Sequence, residues 1–87
     1  MADLELLKSY LRIDGSEDDI VLALLLDAAK EYLKNAGVKK PEAGEGSKLY
    51  DLAVMLRVHQ ERAREEKEVE RVKKSLTSII LQLKTGI

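Results

Sequence analysis

Apolar positions fall three and four residues apart along most of this chain, the period of an α-helix rather than the alternation of a strand. Leu4, Leu7 and Leu11 share one side of a short first helix, Leu4 to about Leu11, which Asp3 can cap. Two helical turns are unstable alone in water, so this helix must dock on something. The chain then turns at Arg12-Ile13-Asp14-Gly15, where Gly15 permits a positive φ. Ser16 is a natural N-cap, with Asp19 three residues on. Glu17, Asp18 and Asp19 place negative charge at the positive end of the next helix dipole. These signals predict a second helix from about Glu17 to Ala36, closed by Gly37 as its C′ residue, with Lys34 near the negative end.

At ~100° per residue the faces of helix two separate. Asp27, Lys30, Glu31 and Lys34 form a polar stripe. Val21, Leu24, Leu25, Ala28 and Tyr32 form one apolar stripe, and Leu22, Leu26, Ala29 and Leu33 form a second beside it. Together the apolar stripes cover roughly 200°, wider than the ~100° that a surface helix needs. Either two other helices sandwich helix two, or part of its surface faces a second subunit.

Val38 to Gly46 reads as the main loop, because Lys39, Lys40, Pro41, Gly44 and Gly46 discourage helix. Ser47 can cap a third helix, whose core stripe is Leu49, Leu52, Ala53, Leu56 and Ala63. Tyr50, Val54 and Val58 make a second stripe. From Arg57 to Lys74, twelve of eighteen residues are charged, seven basic and five acidic. Helix three could continue through this run on salt-bridged turns, or Glu68 to Val72 could leave the body as an extended arm. The expected end of helix three lies between Arg64 and Lys67. Leu76, Ile79, Ile80 and Leu83 mark a last helix, Leu76 to Lys84, with Ser75 as its cap and Gly86 as its stop. The expected architecture is therefore all-α: one domain over residues 1–87, a small bundle of about four helices, with an arm or loop between the last two.

Composition narrows the function. Leucine and isoleucine must fill the core, since the aromatics are three tyrosines with no Phe or Trp. Net charge is −1, from 15 basic and 16 acidic residues, without the basic excess of a protein that grips duplex DNA by its phosphates. The chain has no cysteine, which excludes disulfides, thiolate metal sites and thiol catalysis. No signal peptide is visible, and the longest apolar run, Ile20 to Leu26, is far short of the ~20 residues that span a bilayer.

Catalytic and metal chemistry find no footing. The one histidine, His59, sits at the margin of a core stripe without a carboxylate or cysteine at a compelling spacing, and reads as structural. The acids from Asp14 to Asp19 lack the sixth-position glycine and twelfth-position glutamate of a calcium loop. Gly44-Glu45-Gly46-Ser47 is too short for a phosphate-binding loop and lacks its lysine. Neither an enzyme nor a cofactor is expected. What remains is surplus apolar surface, which either helices one and four cover or a second subunit does. Leu22, Leu26, Leu33, Tyr50, Val54 and Val58 are the candidates for subunit contacts. A charge at Leu26 or Val54 is then expected to weaken assembly and leave helicity. Lys67, Arg71, Lys73 and Lys74 are the candidates for contact with a charged partner, passing DNA included. No aromatic interleaves them for base stacking.

Three motifs bring a family into view: Tyr10-Leu11-Arg12-Ile13-Asp14, followed by Glu17-Asp18-Asp19, Leu25, Ala28-Ala29 and Tyr32; then His59 with Arg64-Glu65; then Ser78-Ile79-Ile80-Leu81-Gln82-Leu83. The chain resembles the head–tail connector proteins of tailed bacteriophages, also called DNA-packaging or head-completion adaptors. It departs from their pattern at Gln60, Glu61 and Ala63 and in the charge-rich segment up to Lys74. The resemblance implies a homo-oligomeric ring below the portal at the capsid vertex, extending the DNA channel and offering a platform to a tail or second connector protein. DNA would pass without being read, no membrane would be involved, and the protein would be made in the bacterial cytoplasm from a phage or prophage gene before joining the virion. Two other classes stand beside it. One is a small regulatory or antitoxin-like protein that dimerises through its helices. The other is a nucleic-acid-binding helical module, against which the balanced charge speaks.

Overall fold

The computed structural model describes residues 3–40 and 47–85, and leaves the side chains of Ser47 and Thr85 aside. Four helices and no strand occur among the described residues: α1 (Leu4–Leu11), α2 (Asp19–Asn35), α3 (Ser47–Arg62) and α4 (Glu66–Thr85). The all-α expectation holds. Pro41 to Gly46 of the expected loop, the Ser47 side chain as a cap and Gly86 as a stop lie outside the described residues.

Helix α1 starts where the Asp3 carboxylate accepts the Leu6 N–H at 2.9 Å. It ends at Arg12, which takes a left-handed conformation (φ 59°, ψ 45°). There the Ile13 N–H reaches the Lys8 carbonyl at 2.9 Å and the Arg12 N–H reaches that of Ser9 at 3.2 Å, the paired bonds of a Schellman turn. Gly15 is also at positive φ, 85°, as expected. Arg12 was not expected there, because a side chain in this region costs about 1–2 kcal/mol.

Helix α2 begins at Asp19 rather than Glu17. Residues 16–19 form a turn closed by the Asp19 N–H on the Ser16 carbonyl at 3.3 Å. Asp18 occupies the cap position without a side-chain bond to the backbone. Ser16 is thus spent in the turn, two residues too far out to cap. The Asp19 carboxylate instead meets Lys8 Nζ at 2.8 Å and ties the start of α2 to α1. The other end follows expectation. Gly37 (φ 92°) carries a second Schellman turn, with Val38 N–H on Leu33 O at 2.9 Å and Gly37 N–H on Lys34 O at 3.1 Å. Leu33 and Val38 are both buried in the core, the apolar contact that accompanies this motif.

Helix α3 is the centre of the molecule. Tyr50, Ala53, Val54, Met55, Leu56 and Val58 are all buried, and they point to every side of the helix. Helix α4 covers α3 most extensively, α2 covers a second side, and α1 packs on both α2 and α3. Helices α2 and α4 scarcely touch, because α3 lies between them. Their outer faces therefore look away from the core in different directions.

The charged segment does not form an arm. Residues 66–74 are the first half of α4, and the connection from α3 is residues 63–65 alone. Ser75 lies inside the helix and caps nothing. The reason is a continuous stripe: Val72 and Leu76 are buried, while Val69, Ile79, Ile80 and Leu83 are half-buried on the same side. That stripe holds the charged turns helical and leaves their charges on the outside.

Core and surface positions on α2 should respond differently to truncation. Leu33→Ala should cost about 2–5 kcal/mol in urea unfolding. Leu24→Ala, at an exposed site, should stay within about 0.5 kcal/mol. Gly37→Ala should cost about 1–2 kcal/mol from backbone strain alone. A Cβ there would meet only the flexible end of Lys84, Cε at 3.4 Å and Nζ at 3.7 Å.

Candidate functional site

The six residues expected to meet another subunit lie instead in the chain's own core. Leu22, Leu33, Val54 and Val58 are fully buried, and Leu26 and Tyr50 nearly so. They turn inward because α3 needs cover on all sides, and the α2 stripe carrying Leu22, Leu26, Ala29 and Leu33 supplies it. A charge at Leu26 or Val54 is therefore expected to disrupt the fold itself. It would not merely separate subunits.

The other α2 stripe is the open one. Ile20 is 80% exposed, Leu24 65%, Val21 53% and Tyr32 41%. Helical geometry places Ile20 and Leu24 opposite the buried stripe, with Asp27, Ala28 and Glu31 among them. Val21 and Tyr32 stand on the flank nearer α3. There the Arg57 guanidinium lies over the Tyr32 ring, 4.3 Å from its centroid, and also pairs with Glu61 at 2.7 Å. Arg57 thus holds Tyr32 in place along one edge of the apolar face. The exposed stripe was visible in the sequence as a stripe. Which of the two stripes turns inward was not.

The four expected partner contacts, Lys67, Arg71, Lys73 and Lys74, are all exposed on the first half of α4. Lys67, Arg71 and Lys74 share one outer face at i, i+4, i+7, and Lys73 stands to the side. A further basic feature escaped the sequence pattern. Lys30, Lys34, Lys39 and Lys40 surround a hollow at the C-terminal end of α2, with Glu31 and Tyr50 in its lining. Lysines are natural at a helix C-terminus, and only the fold gathers these around one opening.

His59 is structural, as expected, and the structure supplies its partners. The Tyr10 hydroxyl lies 3.0 Å from His59 Nδ1, and Glu68 Oε1 lies 2.5 Å from Nε2. The Tyr10 and His59 rings meet edge to face, 5.7 Å apart at 70°. One imidazole thus joins α1, α3 and α4. Tyr10 stands 49 positions from His59 in sequence, so spacing could not reveal the link. Burial, and then the Glu68 carboxylate, push the Tyr10 phenol above its ordinary value. Burial, and then Asp51, do the same to Tyr50.

Among the described residues no group of three or more His, Cys, Asp or Glu side chains could hold a metal ion. No helix there is long and apolar enough to cross a membrane. The chemistry on display is that of surfaces: an open apolar helix face and a basic helix face on a rigid core. The chain belongs to the phage gp6-like head-tail connector protein family, whose match covers residues 1–85. It is a structural connector protein and not an enzyme, of a family that joins head and tail components at the head–tail junction of the virion. No curated protein and no solved structure matches it.

Two measurements check this polar framework. A double-mutant cycle of His59→Ala with Glu68→Ala should return a coupling of about 0.5–1 kcal/mol, since the pair is only part-buried. The stability linked to the two raised phenols is fully present below about pH 10 and is lost as pH rises through their folded values. Tyr10→Phe with Tyr50→Phe should therefore flatten the alkaline side of a stability profile and leave neutral pH less affected.

Proposed function

We propose that this protein is the subunit of a homo-oligomeric ring that sits on the portal protein at the capsid vertex. The ring presents its far side to a tail protein or a second connector and extends the channel through which DNA passes. The whole chain, residues 1–87, acts as one unit, made in the host cytoplasm and carried in the virion. The observation that supports this reading is the open face of α2, where Ile20, Val21 and Leu24 crowd within little more than one turn, with Tyr32 beyond. Scattered apolar side chains on a surface need no explanation, but a concentrated patch does. Family membership says the chain joins other components, and a second copy of the chain is the most economical cover for the patch.

The charge balance supports passage of DNA over binding. A net charge of −1 leaves no general basic excess to neutralise phosphates. Lys67, Arg71, Lys73 and Lys74 are the charged contacts of the assembly, facing the channel or a partner. No catalytic residue takes part.

Light scattering across a concentration series, with the protein alone and with the phage portal protein added, tests the ring. A closed oligomer of many subunits is expected in at least one of the two conditions. Leu24→Glu should abolish it while circular dichroism keeps its helical signal. A monomer in both conditions, or a dimer that never grows, would remove the proposal.

A further inference from the structure

We infer that successive copies pack head to tail, with the outer face of α2 on one copy lying antiparallel across the outer face of α4 on the next. The inference rests on the ring reading above and names the two surfaces that ring would use.

The first surface is acidic and apolar. Ile20 and Leu24 stand on the outer side of α2 with Asp27 and Glu31, and the exposed acids Glu17 and Asp18 precede them. Lys34 is the one exposed base on that part of the helix. The second surface is basic, with one large apolar side chain. Lys67, Arg71 and Lys74 line the outer side of α4 against Glu70, and Leu81 is 62% exposed two turns beyond Lys74. Between Lys74 and Leu81 the small residues Thr77 and Ser78 line a hollow on this face. Leu81 borders the same hollow, so an apolar side chain from another chain can lie against it there without displacing a large side chain.

Spacing matches as well as sign. Leu24 and Glu31 are seven residues apart on α2, and Leu81 and Lys74 are seven apart on α4. Seven residues are nearly two turns, so each pair shares a face about 10 Å long. Laid antiparallel, the helices bring Leu24 onto Leu81 and Glu31 onto Lys74 together. Asp27 then falls near Ser78. A parallel arrangement would match the leucines and leave Glu31 beyond the end of α4. Among the described residues, none of the ion pairs engages Asp27, Glu31 or Lys74.

The same charges act against a symmetric pair. Two α2 faces related by a two-fold axis that pairs Ile20 with Leu24 would set Asp27 against Glu17 of the other copy, and like charges across an interface are costly. Two α4 faces would bring their bases together. The two surfaces are complementary to each other and not to themselves, and α3 keeps them on different sides of the subunit. A heterologous contact of this kind closes into a ring when its rotation permits.

The absence of native cysteine makes the test clean. Two full-length single variants, Leu24→Cys and Leu81→Cys, are prepared separately and treated with a short bis-maleimide, alone and mixed, in the presence of the portal protein. Cross-linked dimer is expected in the mixture and not in either variant alone. Dimer from Leu24→Cys alone would overturn the inference in favour of a symmetric contact. An oligomer that forms without cross-linking in the mixture would overturn this pairing and leave the ring standing. If the wild-type chain forms no oligomer under any of these conditions, the ring reading itself fails. As an independent check, Glu31→Lys should lose the oligomer at concentrations where wild type keeps it, and adding Lys74→Glu to the same chain should restore it. Failure of that restoration while Leu24→Glu still abolishes assembly would also overturn the pairing.

Discussion

Everything in this fold depends on burying α3. A helix apolar on nearly every side is unstable at a surface, and this chain surrounds it with the other three. The residues that do so are aliphatic and modest in size, with Tyr50 the one aromatic in the core. The chain is short, so each surrounding helix has a single face to give. Once α2 turns Leu22, Leu26, Ala29 and Leu33 inward, its second apolar stripe has nothing left within the chain to cover it. The open face is the consequence of covering α3 with so few helices.

Polar ties at the helix ends hold this arrangement in one geometry. Lys8 joins α1 to the start of α2 through Asp19, and His59 joins α3 to α1 and α4 through Tyr10 and Glu68. Two Schellman turns fix how the chain leaves α1 and α2. Each tie is worth little by itself, since all are part-exposed. Together they set the angle between the outer faces of α2 and α4. In a ring built from those two faces, that angle determines how many subunits close the circle. A connector has little need of a reactive group and much need of a rigid angle.

Several features of the site were legible in the residues, for physical reasons that can be named. The N-cap at Asp3 and the C-terminal turn at Gly37 depend on local chemistry, so they could be read from neighbouring residues. The structural part of His59 followed from the absence of any partner for catalysis nearby in sequence. The basic residues of α4 were recognised as exposed because nothing apolar alternates with them closely enough to bury them. The start of α2 was misplaced by two residues because Ser16 and Asp19 suit a cap in composition, whereas the turn geometry consumes Ser16. The arm between the last two helices was suggested by charge density. It yields to the stripe from Val69 to Leu83, which needs only one buried residue per turn to keep the helix docked.

The sequence by itself determined the all-α class, the presence of four helices and the surplus of apolar surface. All of these follow from residue type and spacing within a single element. Only the tertiary structure decided which stripe of α2 faces inward, that Arg12 adopts a left-handed conformation, and that Tyr10, His59 and Glu68 meet. Two neighbouring stripes of similar hydrophobicity are equivalent to an isolated helix. The shape of the helix packed against them breaks the tie, and that shape is set by residues far away in the chain.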